Sequence, residues 1–220
     1  MTYVVTSEFE LNRAVSPRLP AATKQYDENY INQLNNVLRL YFNQLDNILG
    51  QLRTASSTSG LRVPYGAFSS DQDQTTTANT ATLMTLNTTD FSNGVSIASS
   101  KITVATAGIY NLQFSAQFQN TDNAIQDISI WLKQNGTDIT GSTGFVSIPA
   151  RKSASAGEEA HEIIGWNYYV SMAAGDYIEI YWSATLASVS IQYYPASTGP
   201  TRPSTQSVVA TMSFVSALPP

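Results

Sequence analysis

The chain contains no cysteine, so disulfides, thiolate nucleophiles and thiolate metal sites are excluded for these residues. Charge is also scarce: Lys, Arg, Asp and Glu together make up 12% of the 220 residues, about half the share usual in soluble domains. There is a single histidine, His161, and any imidazole chemistry must use it. No run approaches about eighteen uninterrupted apolar residues, so no membrane-spanning helix is predicted and membrane insertion is not expected. The net charge is −5 and no basic stripe occurs, which argues against nucleic acid and anionic membranes as partners. The first residues, MTYVVTSEFELNRAVSPRLP, have no basic region followed by an apolar run. The expectation is a chain without a signal peptide, made in a cytoplasm.

In place of charge the sequence carries Thr, Ser, Asn and Gln. Thr fits a pleated surface, and Asn and Ser fit turns, so this composition suits many short strands. Hydrophobic residues make up 42%, enough for a large all-β domain or for one core plus a smaller appendage. The little charge present is unevenly placed. Residues 1–62 hold six basic and five acidic residues, whereas residues 63–220 hold five basic and eleven acidic ones.

Residues 1–22 read as an extended anchoring arm, with Pro17 and Pro20 breaking any helix near them. The next segment has a period of seven. Ile31, Leu38, Leu45 and Leu52 recur at that interval, and Leu34, Tyr41 and Ile48 follow the first three by three positions. These are the a and d positions of a heptad repeat. Val37, Phe42 and Leu49 widen the stripe, while Asn32, Gln33, Asn36, Asn43, Asn47 and Gln51 face away from it. The spacing predicts a helix from about Asp27 to Leu52, capped by Thr23 or Asp27. Asn is a modest helix former, so this helix depends on packing. Packing on the chain's own β-domain is one way to cover the seam. Self-association accounts better for so regular a period, and mixed Ile and Leu at a and d suit three strands. Residues 23–52 are therefore read as a helical trimerisation stalk, followed by a Ser/Thr/Gly linker over 53–64.

From residue 65 to 220 the period is two. In Gly108–Gln119, Tyr110, Leu112, Phe114 and Phe118 alternate with mostly polar residues, as a half-buried strand requires. ISIWLK (128–133), containing Ile130, is closed by Asn135-Gly136, a hairpin signal. Trp166–Met172 and Tyr177–Ala184, the latter containing Ile180 and Trp182, flank Ala174-Gly175-Asp176 and read as a second hairpin. Val189, Ile191 and Tyr193 alternate ahead of a Pro/Ser/Thr loop at 195–207. Met212 and Phe214 lie on a closing strand. Thr80–Leu86 and Gly94–Val104 supply further strands around an Asn93-Gly94 turn. The expected core comprises Tyr110, Leu112, Phe114, Phe118, Ile130, Ile180, Trp182, Met212 and Phe214. Eight to ten short strands with regular turns imply an antiparallel sandwich or jelly roll.

Those strands carry a resemblance. KITVATAGIYNLQFSAQF (101–118) is similar to the Gly-x-Tyr strand of C1q/TNF-like domains. DISIWLKQNGTDI (127–139) resembles the strand that follows it, MAAGDYIEIYW (172–182) the Gly-Asp turn near the end of that fold, and VVATMSFV (208–215) its last central strand. The resemblance implies a ten-strand jelly roll forming compact homotrimers on a trimeric stalk. The fold expected is therefore mostly β, a C1q/TNF-like antiparallel jelly-roll sandwich behind an N-terminal coiled-coil stalk. YINQLNNVLRLYFNQLDNILGQL (30–52) and YGAFSSDQDQTTTANTATLMTLNTTD (65–90) resemble appendage proteins of short-tailed bacteriophages. That resemblance implies a virion protein assembled in the host cytoplasm: a tail fibre, head fibre or capsid knob. Its partners would be a tail adaptor, nozzle or capsid protein, met through residues 1–30, and a host surface glycan or protein.

No catalytic pattern competes with this reading. Glu158, Glu159 and Glu162 lie beside His161 in what reads as a Gly/Ala/Ser-rich loop, and neither Gly-x-Ser-x-Gly nor His-Glu-x-x-His occurs. One histidine without cysteine makes a poor zinc site. Asp71, Asp73, Asp122 and Asp127 have the spacing of turn chemistry and complete no EF-hand. No cofactor, metal or catalytic residue is expected, and the alternatives kept are a capsid decoration protein without a receptor and a glycan-cleaving appendage enzyme. Aromatics remain as candidate contacts. Adjacent strand residues cannot both point inward, which makes Tyr193 and Tyr194 the candidate receptor contact.

Overall fold

The computed structural model of the chain describes residues 16–21, 24–53, 63–153, 155 and 158–218, and side chains in all of these except 49–53. Most of the arm over 1–22, the linker residues 54–62, Thr23 and the side chains of Leu49 and Leu52 lie outside the described residues. The chain divides into two units, Met1–Arg62 and Val63–Pro220.

In the first unit, α1 spans Glu28–Arg53. Asp27 starts it: its carboxylate accepts the Asn29 N–H at 2.9 Å, and its carbonyl accepts the Ile31 N–H at 3.1 Å. That is the N-cap arrangement, with Glu28 adding favourable charge to the first turn. The described side chains of the apolar stripe are not fully buried. Leu34, Leu38, Tyr41, Leu45 and Ile48 are partly exposed, and Ile31 is 36% exposed. Ser16, Pro17 and Arg18 line a shallow groove with Val37, Leu40, Tyr41 and Gln44, to one side of the seam.

The second unit is built of strands: β1 Tyr65–Ser70, β2 Gln74–Thr75, β3 Thr82–Leu83, β4 Thr88–Asn93, β5 Val95–Ala98, β6 Lys101–Val104, β7 Gly108–Asn120 and β8 Gln126–Gln134. They continue with β9 Thr137–Asp138, β10 Gly144–Ile148, β11 Ala160–Met172, β12 Tyr177–Ala184, β13 Val189–Ile191, β14 Ser197–Thr198, β15 Thr201–Arg202 and β16 Val208–Ser216. Two seven-stranded sheets and the small β14–β15 ribbon result. In the first sheet β7 is central. It pairs with β11 along its whole length on one side, and on the other with β16 and then β13. β1 follows β16, and β4 forms the far edge. The second sheet runs β10-β8-β12-β6-β5. All pairings between these strands are antiparallel, so the protein is mostly β.

The core lies between the sheets. Tyr110, Leu112, Phe114, Phe118, Ile130, Ile180, Trp182 and Met212 are buried there, and Phe214 packs against them partly buried. Phe118 of the first sheet meets Trp182 of the second edge to face, with centroids 5.5 Å apart, a favoured aromatic geometry. The Gly-x-Tyr strand has a steric reason for its glycine. A side chain at Gly108 would collide with the Phe214 ring and the Ser216 carbonyl. The same ring packs edge-on against Tyr110, 5.5 Å away, whose hydroxyl donates to the Thr106 carbonyl at 2.7 Å.

Several connections differ from the sequence reading. Asn135-Gly136 does turn a hairpin, with both residues at positive φ, 52° and 80°. Ala174-Gly175-Asp176 does not: it carries the chain from β11 in one sheet to β12 in the other. It is tied instead to β6, since Gly175 donates to the Val104 carbonyl and Val104 to the Asp176 carbonyl. Asn93-Gly94 likewise passes the chain between sheets, at the glycine's φ of 66°. Thr80–Leu86 contributes only the two residues of β3. The segment read as a loop around His161 differs too: β11 begins at Ala160, so His161 and Glu162 are strand residues.

Candidate functional site

The register defines two ends of the sandwich. Pro64 lies at one end, where its carbonyl accepts the Phe214 N–H at 2.9 Å. At the other end Asn120 pairs with Ala160 and Val189, and Ser70 with Val208. The segments 121–125, 149–153, 185–188 and 192–207 gather there. Tyr193 and Tyr194, on the segment after β13, belong to this distal end.

Tyr194 crosses the outer surface of the first sheet and is held there. Its hydroxyl lies 3.1 Å from Gln119 Oε1 and 3.0 Å from His161 Nδ1. Gln119 and His161 are themselves cross-strand partners on β7 and β11. One phenolic proton cannot serve two acceptors. Donation to Gln119 therefore leaves His161 to donate through Nδ1–H. The two rings meet edge to face at 5.6 Å, and the Arg202 guanidinium lies 5.9 Å from the Tyr194 ring centroid. Arg202 also donates to the Pro195 carbonyl at 3.1 Å, closing the base of the β14–β15 ribbon. Burial raises the Tyr194 phenol above its ordinary pKa, as do the charges of Asp73 and Glu159, and Arg202 works in the opposite direction. Tyr193 is fixed through its backbone, which donates to Asp73 at 2.8 Å. The Tyr194 ring is thus tied to the ribbon Ala196–Thr205 through Arg202, while the Tyr193 side chain is half-buried.

The aspartates whose spacing reads as turn chemistry accept local bonds. Asp71 accepts from Asn87, Asp122 from the Ala124 N–H and Asp127 from Ser147. Among the described residues, no three His, Asp or Glu side chains converge in a metal-holding group. Glu158 and Glu162 are exposed, and the hydroxyl beside His161 is that of Tyr194.

The outer face of the first sheet is the larger feature and went unseen in the sequence. β1, β7 and β16 carry no Lys, Arg, Asp or Glu at outward positions; their outward residues are Ser, Thr, Asn, Gln and apolar side chains. Ile163 and Tyr169 on β11 are 65% and 60% exposed, and Tyr65, Phe91, Val209 and Val215 are exposed on the same face. Asn111 Nδ2 lies in its midst, buried without a partner. The alternation had shown one polar face per strand. It could not show that three adjacent strands omit charge together.

No protein-family model matches this sequence, and no curated protein matches it.

Proposed function

We propose that the chain is a structural protein of a bacteriophage virion: a homotrimeric tail or head fibre, or capsid appendage, attached through its N-terminal residues and presenting a C1q/TNF-like jelly-roll head to the host surface. The observation that carries this reading is the heptad seam of α1, regular over three repeats, with its described side chains partly exposed. Apolar side chains in that arrangement gain about 1.5–3 kcal/mol each on full burial, and copies of the same helix provide matching seams. The outward residues of β1, β7 and β16 carry no charge and support the same association, since burying them strips no ion of water. The jelly-roll reading is supported by strand order: the first and last long strands, β1 and β16, are neighbours, and the chain passes repeatedly from sheet to sheet. The phage setting rests on the resemblance of residues 30–52 and 65–90. A trimer would present three distal ends together, multiplying weak contacts by effective concentration.

Sedimentation equilibrium of the full chain tests the core of this reading. The expected mass is three times 23.9 kDa; a monomer at high concentration overturns it. Labelled full chain added to host bacteria tests attachment. Adherence that blocks infection is expected. Failure to adhere removes the attachment role in favour of decoration of the particle.

A further inference from the structure

The outer face of the second sheet is chemically unlike that of the first. Trp131 of β8 and Tyr181 of β12 are direct cross-strand partners, and their rings stack with centroids 5.9 Å apart and planes 28° from parallel. The Lys133 ammonium lies 4.6 Å from the centre of the Tyr181 ring and 3.4 Å from Asp138 Oδ1. Asp138 also accepts the Trp131 indole N–H at 2.9 Å. Lys101 of β6 places its ammonium 4.4 Å from the centre of the Tyr177 ring.

Glu179 stands between these two clusters. It occupies an outward position of β12 opposite Lys133, and one step along the β6 register lies Lys101. Despite facing outward it is only 6% exposed. No hydrogen bond or ion pair within the described residues holds its carboxylate, and its oxygens are not among the polar atoms sealed from solvent. Both neighbouring ammoniums are drawn onto tyrosine rings instead. A largely desolvated carboxylate without donors is costly, and donors arriving from outside offset that cost. The surroundings select their chemistry. An anion would meet Glu179 and Asp138, and a cation would meet Lys101 and Lys133. A neutral ligand with hydroxyl donors, oxygen acceptors and an apolar face meets nothing unfavourable.

We propose that Glu179 and the Trp131–Tyr181 pair form a carbohydrate subsite for a neutral pyranose. The C–H face of the sugar packs on the aromatic pair, its hydroxyls donate to Glu179, and a ring or hydroxyl oxygen accepts from Lys133 or Lys101. The subsite does not need the trimer or the virion reading, although it would give the attachment role a ligand class.

The test is protection of tryptophan fluorescence in the full chain from acrylamide quenching, with maltohexaose, mannohexaose, lacto-N-tetraose and, as anionic probe, hexagalacturonate. Trp182 is fully buried, whereas Trp131 and Trp166 are both partly exposed, so the measurement is made in a Trp166→Phe background, where the signal reports mainly Trp131. At least one neutral oligosaccharide is expected to give saturable protection. Glu179→Gln should weaken it tenfold or more, and Ile163→Ser on the opposite sheet should leave it unchanged. Lys133→Gln, at a partly exposed position, should weaken it as well and supplies a readout if Glu179→Gln fails to fold. The proposal is overturned if no neutral probe protects, if hexagalacturonate is preferred, or if protection survives both Glu179→Gln and Lys133→Gln. Host adherence that persists when these variants no longer bind sugar removes the subsite from attachment. Sugar binding without host adherence removes attachment and leaves the subsite.

Discussion

Replacing Leu38 and Leu45 together with asparagine places two amides in successive heptads of the α1 seam. Both leucines are already partly covered within the chain, so the lower part of the scale for burying a leucine applies, about 1–1.5 kcal/mol for the remaining area. Two positions in each of three chains then remove roughly 6–9 kcal/mol from the assembled state, before any penalty for amides left without partners. At about 1.4 kcal/mol per factor of ten, that is roughly four to six decades in the trimer dissociation constant. The concentration at half-assembly varies as the square root of that constant, so it should rise by roughly two to three decades. Sedimentation equilibrium from micromolar to hundreds of micromolar spans such a shift. Far-UV circular dichroism should report loss of helix in step with it, because an Asn-rich helix of this length depends on packing. A double variant that remains fully trimeric would refute the reasoning: assembly would then reside in the β unit, and the heptads would carry none of it.

Other perturbations address the β unit. Gly108→Ala drives a methyl group into the Phe214 ring and the Ser216 carbonyl, and should lower stability by about 1–3 kcal/mol in urea titrations; an unchanged midpoint would refute the packing argument. Hydrogen bonds from Asn135, and then from the Ala173 N–H and Gln134, hold the Asp176 carboxyl below its ordinary pKa. Its contribution is therefore present above about pH 4, the value of a free carboxyl, and lost as the pH falls through the lower folded value. Wild type should lose stability more steeply on acidification than Asp176→Asn, and parallel curves would count against the clamp. Burial pushes the Tyr110 phenol up to about 12. Stability linked to it is complete below about pH 10, where a free tyrosine ionises, and is lost as the pH rises toward the folded value. Tyr110→Phe should flatten the decline of the urea midpoint over that range.

Period was the most legible property of the sequence. A repeat of seven located α1 and a repeat of two located β7, because each reports which side of an element faces away from water. Alternation says nothing about which strand lies beside which. Met172 and Tyr177 are separated by a turn with every local mark of a hairpin, yet they enter different sheets, because Gly175 and Asp176 bond to Val104 rather than closing a ladder between their neighbours. His161 read as a loop residue among glutamates. The start of its strand was hidden because Ile163 points outward, and the inner-face residues Trp166, Tyr168, Val170 and Met172 mark only the later part. Glu179 was invisible as a site for a related reason. An outward glutamate on a strand is ordinary, and its isolation depends on two lysines that turn toward tyrosines.

The placement of charge connects these features. Of the five basic residues in the β unit, Lys101 and Lys133 sit on the outer face of the second sheet, and Arg151, Lys152 and Arg202 sit in distal segments. None is on β1, β7 or β16 of the first sheet. Desolvating an unpaired ion costs several kcal/mol, whereas desolvating Gln, Ser or Thr costs less and is offset by new hydrogen bonds. Of the two outer faces, only that of the first sheet can be covered cheaply by another copy. Its orphaned Asn111 amide, set between Tyr169 and Ser213 across the strands, is a donor that a facing carbonyl would satisfy. The second sheet has the opposite character: its aromatic rings, ammoniums and unpaired carboxylate are best served by a hydrated, hydroxyl-bearing ligand. If the first face is the one that packs, Ile163→Asp should disperse the β unit's association while leaving tryptophan protection by sugar intact. Glu179→Gln should do the reverse. A single substitution that abolished both would mean that the two faces are not independent, and the division of labour argued from their charge would fail.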